Sequence, residues 1–425
     1  VRLLIIDIES MGLDLALRAI ADGHEVKLWQ DWKRPIGRGV PGLTRVQDWR
    51  AHMISAKDGL VVMTGNAKFC REMDRYRDFG WNIFGPTEAS AKLEIDRKAG
   101  MDAMEAAGIE IPPYECFPTL DAAKARAGKA DEAFVFKCLG SEDDKSCTHV
   151  ADSPEDMVAW IERKQKGGWR PTGQVMLQSK IDMLAEYGAS GWCGPGGFLA
   201  DRWQVCWEHK RLMNGEVGPQ TGEMGSVTCY VEDDPCAEML MQLEPVLRTL
   251  GHRGDFAIGV GIDRKGNAWP FEFTARCGWP AFFNQVASHK GDVCQWMLDL
   301  CKGEDSLKVD RRPCVSVVMA QPPFPQWNGK PESVEGNPIA YDEDEWDNLH
   351  PAMCMRAGDE WHTCGELVCV ATGLGKTISK AREQVYATVK ATRFTDAMYR
   401  TDIGEKVEDS LAAIQAHGFA QGIIW

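Results

Sequence analysis

Three short segments of this 425-residue chain carry residue types at spacings that can do chemistry. The first is Phe271-Glu272-Phe273-Thr274-Ala275-Arg276-Cys277-Gly278, a strand running into a loop. A two-residue period puts Glu272, Thr274 and Arg276 on one face. An acid, a hydroxyl and a guanidinium sharing a face can hold Mg²⁺ and an anionic substrate together, the plainer alternative being a surface ion pair. The second is Lys137, which ends an apolar strand, with Lys98, which opens a helix. Lysines at such positions are ordinarily just solvated, but two of them beside the polar loop 140–146 can neutralise a nucleotide's phosphates. The third is Glu208-His209-Lys210-Arg211 followed by Gly218-Pro219-Gln220-Thr221-Gly222-Glu223-Met224-Gly225. Three glycines and a proline in eight residues make a structured loop that presents backbone donors, or else a plain surface loop.

Other chemistries are poorly supported. The first strand-to-helix loop, Asp7-Ile8-Glu9-Ser10-Met11-Gly12, has one glycine and two carboxylates, which repel phosphate, so a dinucleotide fingerprint is absent. The fifteen cysteines are scattered and contain no C-x-x-C, the pattern of free thiols in a reducing cytosol. The nine histidines are dispersed, which argues against a metal site built on His and Cys. A formal charge of −15 argues against polymeric nucleic acid as the main partner. No apolar run approaches the roughly 20 residues that span a bilayer, and the opening apolar run lacks signal-peptide features. A cytoplasmic protein without a membrane partner is expected.

The elements that must position these residues follow from periodicity. Residues 1–30 read as strand, helix, strand, and a further strand at 59–64, a helix near 69–79 and Asn82-Ile83-Phe84 complete a small doubly wound α/β unit. One helix is expected from Glu88 to about Ala107, a strand at 133–138, a helix at 154–165, and strands at 174–179, 191–199 and 203–210. Residues 216–226 are Gly-rich and aperiodic. Beyond them come a helix at 235–250, strands at 255–263 and 268–273, a helix near 284–301, and from about 312 a strand-rich segment ending in two helices. The hydrophobic share of 44% and the charged share of 26% fit several globular domains.

Taken together, these segments resemble the phosphoribosylamine–glycine ligase family, a branch of the ATP-grasp superfamily. Ile83-Phe84-Gly85-Pro86-Thr87 with Ala91-Lys92-Leu93-Glu94 is similar to the family's F-G-P-x-x-x-A-A-x-L-E. His209-Lys210-Arg211 and Gly218–Gly225 resemble H-K-R and G-P-N-T-G-G-M-G, and Glu272–Arg276 resembles E-F-N-x-R. Near the C-terminus, Thr372-Gly373-Leu374-Gly375-Lys376-Thr377 and Tyr399-Arg400-Thr401-Asp402-Ile403-Gly404 resemble T-A-L-G-x-T and Y-R-x-D-I-G.

The resemblance implies a mixed α/β and α+β architecture. An N-terminal Rossmann-like preATP-grasp domain would cover residues 1–88 and a two-lobed ATP-grasp domain 89–305, with a mobile lid lobe at about 114–180. A strand-rich α+β domain would cover 306–425. ATP and Mg²⁺ (or Mn²⁺) are the implied cofactors. Lys98, or Arg97 one residue earlier, with Lys137 and Lys145 would contact the phosphates. The strand 176–181, including Gln178 and Ile181, would line the adenine, with Glu186 near the ribose. Glu272 and Thr274 would hold the metal. Thr221, Gly222, Glu223, Met224, Gly225 and Arg276 would bind an amino-acid carboxylate, and Arg276, Lys210 and Arg211 would serve catalysis. The carboxylate would take the γ-phosphoryl group, and an amine would displace phosphate to give an amide.

Departures from the pattern shape the expected function. The family's G-N-G-G-R-E-H, which holds the phosphoribosyl group, is Asp7-Ile8-Glu9-Ser10-Met11-Gly12-Leu13 here, and P-E-A-P is Gly65-Asn66-Ala67-Lys68. F-G-D-P-E after the arginine is Cys277-Gly278-Trp279-Pro280-Ala281, the glycine-rich phosphate loop is 141–146, and the adenine-strand E-E is Gln178-Ser179. The expected enzyme therefore activates glycine or another small amino acid for a non-standard amine, such as an amino-bearing nucleotide of the kind used in hypermodified viral DNA. The alternatives are true phosphoribosylamine–glycine ligation and a catalytically inactive ATP-binding regulatory relative, the latter suggested by acidic residues 142–144 and by Thr274. Small-molecule partners and a monomer or homodimer are expected. Most of the sixteen tryptophans should be core or lobe-interface residues, and Trp279 could stack on a planar acceptor.

Overall fold

A computed structural model of the protein describes residues 1–139, 148–326 and 330–425. They form two compact units, one of Val1–Ala91, Tyr187–Ala257 and Thr274–Trp425, the other of Lys92–Glu186 and Ile258–Phe273.

The first unit opens with the expected α/β pattern. Arg2–Asp7 is the central strand of a five-stranded sheet in the order Leu43–Arg45, Glu25–Gln30, Arg2–Asp7, Leu60–Met63, Ile83–Phe84. Its neighbours run parallel, with Ile5 opposite both Leu28 and Val62. Leu3 to Ile6 are buried without alternation, as a strand covered on both faces requires. Leu4, Ile6, Val61 and Met63 pack with Trp49, Met53 and Met73 on one side. The short strand Leu43–Arg45 and the 3₁₀ turns Trp49–His52 and Ile54–Ala56 were not legible, because three- and four-residue elements carry no periodic signal.

A second, antiparallel succession in this unit joins Met183–Gly194, Trp203–Glu208, Ser226–Val231, Cys314–Ala320, Leu367–Leu374 and Leu349–Pro351. Asn284, on helix Ala281–Ser288, ties its centre together by donating to Thr228 Oγ1 and to the Cys314 carbonyl, both at 3.1 Å. The single helix expected near 284–301 is two, Ala281–Ser288 and Val293–Lys302. Asp292 accepts from the amides of Cys294 and Gln295 and caps the second. The T-A-L-G-x-T-like segment is a packing device. A Cβ at Gly373 would lie 2.4 Å from Val385 N, and one at Gly375 2.2 Å from Ala381 N, so helix Ile378–Ala391 can lie directly on the strand. Thr377 caps that helix through Lys380 N–H.

The second unit holds a four-stranded antiparallel sheet in the order Tyr114–Phe117, Val175–Ser179, Phe134–Cys138, His149–Val150. Helices Leu120–Ala127 and Pro154–Lys166 supply Leu120, Ala123, Met157, Trp160 and Ile161 to a core with Phe134, Phe136, Val175 and Leu177. Each large apolar side chain buried there is worth about 1.5–3 kcal/mol. The helix expected over 88–107 is broken into Glu88–Ile95 and Arg97–Ala106, because the Asp96 carboxylate accepts from Ala99 N–H and starts a new helix.

Candidate functional site

In the second unit, Lys137 sits near the end of strand Phe134–Cys138, beside Val175–Ser179. Its Nζ donates to Gln178 Oε1 at 2.8 Å and lies 5.6 Å from the Phe271 ring centre. Both Lys137 and Gln178 are buried. In that contact the Lys137 amine donates to a neutral amide. Lys98 is exposed and pairs with Asp102, while neighbouring Arg97 donates to the Cys138 carbonyl at 3.0 Å. Arg97 thus reaches the strand that carries Lys137, and Lys98 turns to its own helix. Ile181 and Glu186 are half-buried, with Ile181 just beyond the strand end at Ser179. Lys145 lies outside the described residues. Glu272 is half-buried on strand Ala268–Thr274, where Gly259 places only hydrogen against its side chain.

The strand ends at Thr274, yet the alternation continues: Phe273, Ala275 and Cys277 are buried, whereas Glu272, Thr274 and Arg276 are not. In the first unit, Arg276 donates to the Cys277 carbonyl at 3.0 Å and stands 3.9 Å from Glu9 Oε1. Asp255 belongs to the same neighbourhood. Burial raises its carboxyl to about 6 despite hydrogen bonds from Gln285, Ser190 and the Gly278 amide and the charge of Arg276.

The loop Thr221–Gly225 is fastened to the strand end before it. Thr221 N and Oγ1 both donate to the Lys210 carbonyl at 2.8 Å, Met224 N to the His209 carbonyl at 2.8 Å, and His209 N to the Gly225 carbonyl at 3.1 Å. Gly225 admits no side chain, because a Cβ would lie 2.4 Å from the Ser316 carbonyl oxygen. Gly222 faces Trp279, whose Cδ1 would be 3.8 Å from a Cβ there. The loop and the Arg276 segment are thereby neighbours. Lys210 pairs with Glu208 at 2.7 Å, and Arg211 donates to the Gly218 carbonyl at 2.9 Å.

The stretch 216–226, aperiodic in sequence, supplies strand Val217–Gln220, which forms a hairpin with Arg211–Met213. It is held by the Y-R-x-D-I-G-like segment. Arg400, fully buried, pairs with Asp402 at 2.8 Å and Glu216 at 2.7 Å and donates to the Arg211 carbonyl at 3.0 Å. Gly215 N donates to Asp402 Oδ2, and Gly404 N to His209 Nε2.

Sequence reasoning missed two groups. Asp255 follows Gly254 in an ordinary strand pattern, with nothing to signal its burial. Glu223 is among the residues expected to bind the amino-acid carboxylate, but it stands where the resembled motif has glycine, and nothing in the sequence signals its burial. Burial, then the like charge of Glu208, pushes its carboxyl well above the ordinary value, and its Oε1 has no hydrogen-bond partner among the described residues.

Residues 314–406 match the family model described as phosphoribosylglycinamide synthetase, C domain. A phosphoribosylamine–glycine ligase of Ralstonia nicotianae is 27% identical over 79% of this chain and 81% of its own length. One from Salmonella typhimurium is 26% identical over 78% and 79%. The phosphoribosylamine–glycine ligase structure from Thermotoga maritima superposes with a TM-score of 0.76 at 21% identity, covering 95% of this chain and all of that one. The chain is thus similar in sequence to phosphoribosylamine–glycine ligases and shares the fold of one of them. The same fold relates it to N5-carboxyaminoimidazole ribonucleotide synthetase from Thermotoga maritima, with a TM-score of 0.59 at 12% identity. The expected mixed α/β ATP-grasp architecture is borne out. Among the described residues no helix is long and apolar enough to cross a membrane.

Proposed function

We propose that this chain is an ATP-dependent carboxylate–amine ligase that joins glycine to phosphoribosylamine. The observation that carries the reading is the strand Ala268–Thr274, which ends in Glu272 and Thr274 and runs into Arg276 beside the rigid 221–225 loop. A carboxylate and a hydroxyl are oxygen donors of the kind that Mg²⁺ takes, and the buried cation of Lys137 fits a phosphate. Glu272 and Thr274 would hold the metal, which supplies charge neutralisation to the phosphates when bound. Lys137, with Arg97 or Lys98, would hold the triphosphate. Arg276 and the amides of Thr221–Gly225 would orient the substrate carboxylate. A carboxylate oxygen takes the γ-phosphoryl group and ADP leaves. The amine nitrogen then attacks the acyl carbon, phosphate departs, and the nitrogen loses a proton as the amide forms.

The names of the curated relatives favour phosphoribosylamine over the non-standard amine expected from the opening loop. One observation favours the other acceptor. The Asp7 carboxylate accepts from Met11 N–H at 3.1 Å and crowds Gly12, where a Cβ would lie 2.8 Å from Asp7 Cβ. The Asp7 carboxyl group therefore already occupies the start of helix Gly12–Ala21.

The test is ADP release by purified protein with ATP, Mg²⁺ and glycine, with and without phosphoribosylamine, and mass analysis of the product. Glycine-dependent turnover that requires phosphoribosylamine supports the main reading. Turnover with another amine and none with phosphoribosylamine supports the second. No amino-acid-dependent ADP release, with ATP still bound, would leave an inactive ATP-binding relative. Glu272→Ala and Arg276→Ala are the controls, each expected to abolish turnover while preserving the circular dichroism spectrum.

A further inference from the structure

Away from the segments discussed so far, three side chains from distant parts of the sequence converge within the first unit. His24 follows Gly23, whose φ of +83° ends helix Gly12–Ala21 and turns the chain into strand Glu25–Gln30. Asp292 and Cys294 open helix Val293–Lys302. His24 Nε2 lies 2.9 Å from each oxygen of Asp292, although 268 positions separate the two residues. Its Nδ1 faces the Val1 nitrogen at 2.9 Å, so Nε2 is the atom turned toward the acid. One ligand atom each from His24, Asp292 and Cys294 lies within 4.8 Å of the other two.

Imidazole nitrogen, carboxylate oxygen and thiolate sulfur are the zinc donor set. In a tetrahedral site with bonds of roughly 2.0–2.3 Å the donors are about 3.3–3.8 Å apart. Asp292 is already oriented, because its Oδ1 accepts from the amides of Cys294 and Gln295 at 2.9 Å. Cys294 sits in the first turn of a ten-residue helix, and burial pushes its thiol up to about 12, so a bound ion has to displace the proton held there. About a third of the Asp292 side chain is exposed, which leaves a way in, whereas His24 and Cys294 are shielded.

A second observation points the same way. His289, three residues before Asp292, has both ring nitrogens buried and without a hydrogen-bond partner among the described residues. Its ring lies 5.7 Å from that of Trp296, and the charges of Asp292 and Asp22 act on it as they act on Cys294. The ring is half-buried, and backbone groups of Asp292 and Lys308 act on it beside those charges.

We propose that His24, Asp292 and Cys294 bind a divalent transition-metal ion of the zinc class, with His289 turning in as the fourth ligand. The ion displaces the Cys294 thiol proton, which passes to solvent. It cross-links the turn after the first helix to the start of helix Val293–Lys302, apart from the residues assigned to the phosphates and the substrate carboxylate. Its role is to brace the first unit.

The test is a cobalt titration of the metal-stripped full chain, followed by competition with zinc. The expected result is a saturable near-ultraviolet thiolate-to-cobalt charge-transfer band with strong visible bands of tetrahedral cobalt, all bleached by zinc. Cys294→Ser should lose the charge-transfer band and keep the metal-free circular dichroism and melting profile of the parent. His24→Gln should weaken zinc binding by more than about 100-fold, and His289→Ala by about 10–100-fold. If Cys294→Ser does not fold, the His24→Gln titration decides. No saturable band in the parent, a band that persists in Cys294→Ser, or unchanged zinc affinity in His24→Gln overturns the proposal.

Discussion

Asp255→Asn is expected to make the protein more stable at neutral pH, by an amount that vanishes in acid. The Asp255 carboxyl is 3% exposed, and burial raises it from an ordinary 3.8 to about 6. Between those values the folded protein binds a proton that the unfolded chain does not. Stability from this group is therefore fully present below about 3.8 and lost as pH rises through about 6. The rise corresponds to about 3 kcal/mol at neutral pH, the cost of ionising the acid in place. An asparagine keeps the shape and can still accept from Gln285 Nε2. Urea unfolding of the parent and of Asp255→Asn across the acid-to-neutral range reads the difference directly. The gap should open in favour of the variant as pH rises and then level off near 3 kcal/mol, as an order of magnitude. Parallel profiles, or a variant that loses ground as pH rises, would refute the assignment of Asp255 as a strained buried acid.

Three further outcomes are expected. Lys137→Met removes the buried cation and leaves Gln178 Oε1 without that donor; turnover should fall by roughly 10²–10³ while substrate-independent stability drops by only about 1–3 kcal/mol, read by steady-state kinetics and thermal melting. Arg400→Leu strands Asp402 and Glu216 and should cost about 3–5 kcal/mol, with accelerated proteolysis between residues 211 and 220 as the local readout. Gly375→Ala drives a Cβ to 2.2 Å from Ala381 N and should destabilise by about 1–3 kcal/mol in urea titration, whereas Gly358→Ala, where a Cβ meets nothing, should cost only what its positive φ demands.

Periodic elements were legible and contact-defined ones were not. The βαβ opening, helix Pro235–Leu250 and strand Phe134–Cys138 follow from apolar spacing that local sequence states outright. Two helices were read as continuous where Asp96 and Asp292 restart them, because a capping carboxylate inside a helical pattern looks like any other polar position. Residues 216–226 looked aperiodic although they hold strand Val217–Gln220, because the arginine that anchors that hairpin lies nearly two hundred residues on. Glu272, Thr274 and Arg276 were readable because alternation runs along one segment. Asp255 and Glu223 were not, since their chemistry comes from what buries them. The histidines and cysteines looked dispersed for a similar reason: His24 and Cys294 meet only after the chain folds.

The dependence of the 211–220 hairpin on Arg400 and Asp402 gives this protein a built-in order of assembly. A ribosome has released most of the polypeptide before the arginine that seats this hairpin emerges. Until then the hairpin lacks the guanidinium that holds the Arg211 carbonyl and Glu216. Seating of the hairpin therefore waits on one guanidinium that follows it by nearly two hundred residues.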